Sequence, residues 1–241
     1  MGRIVAISAG DLESNRDINE YMVKMVNKES ANVLFVPTAS GDAEGYIDSI
    51  REAFAQFGCN VKNLCLVKNE YTEAEIDEIL AWADIIYVGG GDTFSMMEVW
   101  EKYGLDEKLK EIYEQDRAIL AGISAGAMCW FQCGHSNSKV FWDGDKIGYG
   151  WGENLLNFIP LAFCPHYEER VDSVDKMIEE KGISGVAMES DTAFVEENGD
   201  QYYIKSDSTK KVYLFYHEDG ILKKGEVDVC IPSETWRRRW E

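Results

Sequence analysis

Short apolar segments alternate with amphipathic segments along the first half of the chain. The apolar segments are about four residues long and almost unbroken, which is typical of buried parallel strands, whereas the segments between them have the spacing of helices. Strands and helices are predicted in turn at residues 4–7, 18–27, 33–36, 46–57, 85–88, 94–115, 118–121 and 127–133. This alternation predicts an α/β fold: a doubly wound, mostly parallel sheet in three layers, with helices on both faces.

The pattern changes after residue 133. Residues 134–152 contain glycine and tryptophan without a regular period, and they predict a long loop or a small hairpin, a kind of segment that often carries function. A strand, a helix and a strand are then predicted at 161–164, 168–181 and 185–188. From residue 193 a period of two predicts C-terminal antiparallel hairpins around Asn198-Gly199 and Asp219-Gly220. No linker divides the chain, so we expect a single domain over residues 1–241.

Composition narrows the function classes. The chain has 241 residues, of which 45% are hydrophobic and 28% charged, as in soluble globular proteins. No apolar run is long enough for a membrane span and the first residues lack a signal-peptide pattern, so we expect a cytoplasmic protein. The formal charge of −20 repels polyanions, so neither nucleic acid nor a membrane is an expected partner. We interpret the arginine cluster at 237–239 as a terminus rather than a binding element.

The cysteines and histidines predict no metal site. None of the six cysteines forms a C-x-x-C pair, and three histidines give no zinc-ligand spacing. Cys129 and Cys133, four residues apart on the helix predicted at 127–133, are expected to share its buried face.

The sharpest local motif is G-I-S-A-G at residues 122–126, between a predicted strand and a predicted helix. This is the pattern and the setting of a nucleophile elbow, in which a tight turn projects the serine above the sheet. Small residues two positions to either side let the backbones approach. We therefore predict Ser124 as a nucleophile, with the amide of Ala125 as a donor to a developing oxyanion. The alternative is a glycine-rich turn with a capping serine.

A second motif, G-G-G-D-T at residues 89–93, follows the strand predicted at 85–88. Its glycines leave amides open to a ligand, so Gly90 and Gly91 are candidates for the oxyanion hole, while Asp92 or Thr93 can cap the next helix. The spacing fits neither a dinucleotide fingerprint nor a P-loop, and the charge of Asp92 opposes a phosphate.

His166 is the candidate base because it follows the strand predicted at 161–164. The carboxyl ends of parallel strands meet at one edge of a sheet, so Gly90, Ser124 and His166 are expected to lie together. Glu189 and Asp191, after the strand predicted at 185–188, compete to be the acid that orients the base. Asp143 and Asp145 are weaker choices. We expect His135 and His217 to lie on the surface.

These motifs resemble the serine peptidases that include peptidase E and cyanophycinase, which have a class I glutamine-amidotransferase-like fold. The resemblance covers nearly the whole chain and rests on V-P-T-A at 36–39, G-G-G-D-T at 89–93, G-I-S-A-G-A at 122–127 and His166. It implies a serine nucleophile, a histidine base, an oxyanion hole of backbone amides, a small peptide as substrate and no cofactor. The sequence does not determine the oligomeric state, and a homodimer is one possibility.

The sequence also departs from that family. Asp92 stands where asparagine is common, and Ser190 stands where an acid is expected, so Glu189 or Asp191 must substitute for it. An aspartyl dipeptidase needs a cation for the substrate carboxylate, and Arg170 is the candidate; with Asp92 and Thr93 it makes up the expected substrate-binding set.

Three functions remain open at this point. The first is a dipeptidase-like serine peptidase. The second is a small-ester hydrolase of the α/β-hydrolase type, whose order of nucleophile, acid and histidine only His217 satisfies here. The third is a non-catalytic binding or regulatory protein that has kept the fold without a complete triad.

Overall fold

The computed structural model describes residues 2–227 and 230–232. The α-helices, in chain order, are α1 Arg16–Met25, α2 Glu44–Ala55, α3 Glu73–Trp82, α4 Thr93–Tyr103, α5 Leu105–Glu114, α6 Ala125–Met128 and α7 Tyr167–Lys181. The strands are β1 Arg3–Ile7, β2 Asn32–Val36, β3 Asn60–Asn63, β4 Ile85–Val88, β5 Ile119–Ile123, β6 Phe131–Ser136, β7 Gly150–Gly152, β8 Ile159–Cys164, β9 Gly185–Met188, β10 Thr192–Glu197, β11 Asp200–Lys205, β12 Val212–Glu218, β13 Ile221–Glu226 and β14 Cys230–Pro232. None of the described helices is both long and apolar enough to cross a membrane.

The strands of the described residues form two sheets. The first has the order β14-β11-β10-β1-β5-β4-β2-β3. Its last five strands in this order, β1, β5, β4, β2 and β3, are parallel to one another. The second has the order β13-β12-β9-β8-β6-β7, with β6, β8 and β9 parallel. The α/β class with helices and mostly parallel strands is confirmed. The expectation that one sheet holds all the parallel strands is corrected, because β8 pairs with β6 and not with β5.

The C-terminal hairpins form where the sequence predicts them, and each extends a sheet. The hairpin of β10 and β11 turns at Asn198 and Gly199 and pairs with β1, which adds antiparallel strands to the first sheet. The hairpin of β12 and β13 turns at Asp219 and Gly220 and pairs with β9 in the second. The segment 134–152 also forms a hairpin, since β6 and β7 pair antiparallel across it.

Three local expectations are corrected. The helix predicted at 94–115 is two helices, because Gly104 takes a left-handed φ of 61° between α4 and α5. The helix predicted at 127–133 stops after four residues, and the chain enters β6, where the Phe131 ring stacks on Phe163 at 4.4 Å. Cys129 and Cys133 therefore share no helix face. Finally, the sequence pattern predicts neither β3 nor α3. β3 lies at the edge of the first sheet, and its mostly polar residues show no run of hydrophobic positions typical of a buried strand.

Candidate active site

The turn between β5 and α6 holds Ser124 in a strained conformation. Its backbone has φ 55° and ψ −113°, which side-chain-bearing residues rarely adopt, and its amide donates to the carbonyl of Ile7 at 3.0 Å. A Cβ atom on Gly122 would overlap the backbone of Gly126, and one on Gly126 would overlap the carbonyls of Val88 and Gly89. Packing therefore requires both flanking glycines, as the sequence motif predicts.

His166 lies opposite Ser124. It begins α7 in a left-handed conformation (φ 55°, ψ 39°), and its Nε2 lies 2.9 Å from Oγ of Ser124. Both side chains are half-buried. They come from different sheets, Ser124 from the end of β5 and His166 from the end of β8. The pair that the sequence predicts at one sheet edge is thus brought together by the packing of two sheets.

Ser8 is a site residue that sequence reasoning missed. Its fully buried hydroxyl accepts from the amide of His166 at 3.0 Å and donates to the carbonyl of Met188 at 2.6 Å. The hydroxyl thereby ties the end of β1 to the end of β9 and to the first turn of α7. The only available signal is that Ser8 follows a predicted strand, which does not reveal its partners.

The surroundings of His166 favour the neutral imidazole. Burial lowers its pKa from the usual 6.5, the positive charge of Arg170 lowers it further, and the carboxylates of Glu169 and Glu168 oppose the shift. A neutral imidazole has a free lone pair with which to accept a proton from a hydroxyl. His166 is thus in the protonation state of a general base at neutral pH.

Neither candidate acid contacts the imidazole. The carboxylate of Glu189 accepts from the amide of Lys211 at 2.9 Å. Asp191 takes a positive φ of 62°, and its buried Oδ1 has no hydrogen-bond partner among the described residues. Asp143 and Asp145 are exposed on the β6–β7 connection. Within the described chain, therefore, no carboxylate accepts a hydrogen bond from Nδ1 of His166.

The glycine loop after β4 lies against the serine turn. The position of a Cβ on Gly90 is 3.5 Å from the Cβ of Ser124, and the Gly90 amide donates to the hydroxyl of Tyr46 at 3.3 Å. Gly91 has a φ of 147°, and a Cβ there would overlap the carbonyl of Ala39. The Ala125 amide, at the first position of α6, has no partner within its helix.

Asp92 and Thr93 hold the loops around the site. Asp92 caps α4 by accepting from the Ser95 amide at 3.0 Å, and its second oxygen accepts from the Lys139 amide at 2.9 Å. These bonds outweigh partial burial and keep the pKa of Asp92 below its usual value, so the carboxylate is ionised. Thr93 is buried, and its amide donates to the hydroxyl of Ser138 at 3.1 Å.

Arg170 is buried beside His135. Its Nη1 donates to the carbonyl of His135 at 2.9 Å, its guanidinium lies 5.6 Å from the centre of the Tyr149 ring, and Nε has no partner in the described chain. His135 is fully buried rather than on the surface as expected, and burial with the charge of Arg170 lowers its pKa to about 4. No carboxylate pairs with Arg170 among the described residues.

The remaining candidate groups lie apart from this site or outside the described residues. His217 is exposed on β12, as expected, with Nδ1 3.4 Å from the Ser184 hydroxyl. Five cysteines are free thiols, and no group of three or more potential metal ligands is placed to hold an ion, both within the described chain. The side chain of Cys230 and the arginine cluster at 237–239 fall outside the described residues.

Comparison with known proteins gives consistent matches. The family model described as Peptidase family S51 matches residues 4–204. The uncharacterised peptidase YgaJ of Bacillus subtilis is 30% identical over 221 residues, covering 88% of this chain and 91% of its own. A probable alpha-aspartyl dipeptidase of Drosophila melanogaster is 25% identical over 215 residues, covering 85% of this chain and 84% of its own.

Solved structures match the fold. The crystal structure of a peptidase from an acI-B1 Actinobacterium superposes with a TM-score of 0.67 at 20% identity, covering 95% of this chain and 97% of that one. A putative peptidase E protein from Listeria monocytogenes gives a TM-score of 0.63 at 19% identity, covering 85% of this chain and 98% of that one.

Proposed function

Because the chain belongs to peptidase family S51, we propose that it is a serine peptidase that cleaves small peptides through an acyl-enzyme on Ser124. The observation that carries the proposal is the 2.9 Å contact between Oγ of Ser124 and Nε2 of His166, made at a strained strand-to-helix turn. A serine hydroxyl is a weak nucleophile until a neighbouring base removes its proton, and this contact supplies the base.

The reaction follows from this pair. Nε2 of His166 takes the proton from Ser124 as Oγ attacks the peptide carbonyl, and the carbonyl oxygen gains the negative charge of a tetrahedral intermediate. When the C–N bond breaks, the imidazolium gives its proton to the leaving amine. Water, deprotonated by the same imidazole, then attacks the ester, and Ser124 recovers its proton as the acid product leaves.

The oxyanion would be stabilised by the amides of Ala125, at the first position of α6, and of Gly91, in the glycine loop that follows β4. The Gly90 amide is the third predicted donor, but it bonds to Tyr46 in this structure, so that hydroxyl must move before Gly90 can contribute. The Ser8 hydroxyl accepts from the His166 amide and so helps to hold that backbone, while Glu189 and Asp191 stay predictions for the orienting acid. Substrate contacts of Asp92, Thr93 and Arg170 also stay predictions.

The decisive experiment is intact-mass analysis after incubation with a fluorophosphonate. We expect one adduct on the wild type, no adduct on Ser124→Ala, and much slower labelling of His166→Ala than of His217→Ala. If His217→Ala alone abolished labelling, the order of residues would be that of an α/β-hydrolase and our assignment of the base would be wrong. A folded wild type that forms no adduct would favour the non-catalytic alternative.

Peptide and ester substrates then separate the two hydrolase hypotheses. The Drosophila relative's name, probable alpha-aspartyl dipeptidase, makes Asp-X dipeptides one substrate series to test, beside neutral dipeptides and p-nitrophenyl esters. We expect peptide cleavage, detected by mass spectrometry and lost in Ser124→Ala. Turnover of esters without any peptide cleavage would favour the esterase. The cytoplasmic location and a homodimer stay predictions, which cell fractionation and sedimentation would test.

A further inference from the structure

A cleft of about 510 Å³ opens beside the serine turn, on the side of the residues that follow β1. We call it the tyrosine cleft; Leu12, Tyr46, Tyr87 and Ile123 form its walls. Ile123 immediately precedes Ser124, and the Tyr46 hydroxyl accepts the Gly90 amide beside that serine. Its volume is within the range of small-molecule sites. A peptide bond held at Ser124 would therefore place a neighbouring side chain at the cleft.

The walls of the tyrosine cleft are preformed. The ring of Tyr46 meets Phe35 edge-on at 5.1 Å between centroids, and the buried ring of Tyr87 meets Phe54 at 5.4 Å. These rings are held by the core beneath them. Tyr87 is only 1% exposed, so the aromatic surface that the apolar trough offers to a ligand is that of half-buried Tyr46. Such a trough suits the methylene stem of a long side chain, and aromatic faces also attract a cation at its end.

The mouth of the tyrosine cleft is acidic. Asp11 and Glu13 line it, and none of its described lining residues is lysine, arginine or histidine. Oδ1 of Asp11 accepts from the amides of Glu13 and Ser14, which holds the pKa of Asp11 below its usual value and the carboxylate ionised. The carboxylate of Glu13 makes no hydrogen bond or ion pair with a described residue, so it is available to a ligand.

The nearest cation along the chain, Arg16, lines an adjoining groove that shares Leu12 and Glu13 with the cleft but does not line the cleft itself. The guanidinium of Arg16 lies 5.2 Å from the centre of the Phe57 ring and bonds to Gln56, in that groove. Asp92, the ionised N-cap of α4, adds negative charge on the glycine-loop side of the serine turn. Within the cleft itself, the charged lining residues are the carboxylates of Asp11 and Glu13, which disfavour an acidic side chain there.

We propose that the tyrosine cleft is a specificity pocket for a cationic side chain, lysine or arginine, next to the scissile bond of the substrate. The proposal rests on the peptidase function proposed above and gives its substrate class. The stem would lie against Tyr46 and Leu12, and the charged end would reach Glu13 and Asp11. A substrate with aspartate in this position would meet two like charges instead.

The test compares three matched dipeptide amides that differ in one residue: lysine, norleucine or aspartate. We expect kcat/KM in the order lysine, norleucine, aspartate, because norleucine keeps the apolar stem and lacks the charge. Glu13→Gln should reduce the preference for lysine over norleucine by about two- to fivefold, the size of a partly exposed ion pair. Glu13→Lys should place aspartate above lysine.

Glu52→Gln is the matched control, because Glu52 is an exposed glutamate of α2 outside the tyrosine cleft. It should leave all three values of kcat/KM unchanged. Equal rates for lysine and norleucine, or a preference for lysine that Glu13→Gln leaves intact, would overturn the pocket. Fluorophosphonate labelling of Ser124 in each variant shows that the nucleophile is still active, which separates this failure from a failure of the peptidase proposal.

Binding without turnover tests the pocket even if the peptidase proposal fails. Calorimetry on Ser124→Ala protein should show tighter binding of lysinamide than of norleucinamide, with a two- to fivefold loss for lysinamide when Glu13→Gln is added. Equal affinity for the two amides, or no loss on adding Glu13→Gln, would reject the pocket.

Discussion

Replacing Ser8 with alanine removes a hydroxyl that holds two backbone groups at the base of the site. The His166 amide and the Met188 carbonyl would each lose their bond to it, and Ser8 and Met188 are fully buried. An unsatisfied buried polar group costs about 1–3 kcal/mol, so we expect Ser8→Ala to destabilise the fold by roughly 2 kcal/mol. The substitution leaves almost no cavity, so packing adds little to that cost.

The larger effect is expected on the rate. His166 must keep its left-handed backbone for Nε2 to reach Ser124, and the contact of 2.9 Å leaves little room for displacement. A shift of about 1 Å in a reacting group can cost about 10²-fold in rate. We therefore expect Ser8→Ala to lower the rate of inactivation by a fluorophosphonate between about 10- and 100-fold at neutral pH.

The assay pairs this rate with the free energy of unfolding in urea. Ser173→Ala is the control: it removes one hydroxyl from α7, the helix that follows His166, and that hydroxyl lies 2.9 Å from Nε2 of His135 rather than contacting His166. We expect Ser173→Ala to label at the wild-type rate. If Ser8→Ala lost stability as expected but labelled within twofold of the wild type, Ser8 would be a structural residue only and our account of how His166 is positioned would be refuted.

Three further predictions follow from the structure. The value of kcat/KM should rise with pH, with an apparent pKa below 6.5, because burial and Arg170 lower the pKa of His166. Glu168→Gln should move that rise to still lower pH, because it removes a negative charge that raises the pKa of His166. The free energy of unfolding should fall by about 3 kcal/mol as the pH drops from 6.5 to about 4, because His135 binds a proton in the unfolded chain but stays neutral when buried in the folded one. Urea unfolding of His135→Gln at a series of pH values should show a weaker dependence of this free energy on pH. Gly126→Ala should lose about 3 kcal/mol or more in urea unfolding because its Cβ overlaps two carbonyls, whereas Gly45→Ala, in open space on α2, should gain about 0.5–1 kcal/mol.

The sequence predicts most of the elements that surround the site because each has a local cause. Unbroken apolar runs become the buried strands β1, β2, β4, β5, β8 and β9, and turn residues at 198–199 and 219–220 become hairpins. The prediction also places Ser124 between a strand and a helix, where the structure has it. Family membership, which the resemblance implied from short motifs, is confirmed by the match to Peptidase family S51.

The parts that sequence reasoning misses depend on partners far along the chain. The segment after Ser124 has helical composition, yet Phe131 becomes part of a strand because Phe163 and Ile159 lie beside it. That single change starts a second sheet, which no local period reveals. Ser8 and His135 were missed for the same reason: their side-chain hydrogen bonds are made to residues more than 35 positions away.

The division of the reactive pair between two sheets has a consequence for synthesis of the protein. The ribosome synthesises the chain from its N-terminus, so β5 and Ser124 emerge before β8 and His166 have been synthesised. During that interval the serine has no base beside it and is an ordinary hydroxyl. On the proposed mechanism, Ser124 therefore becomes an activated nucleophile only after the second sheet has packed against the first.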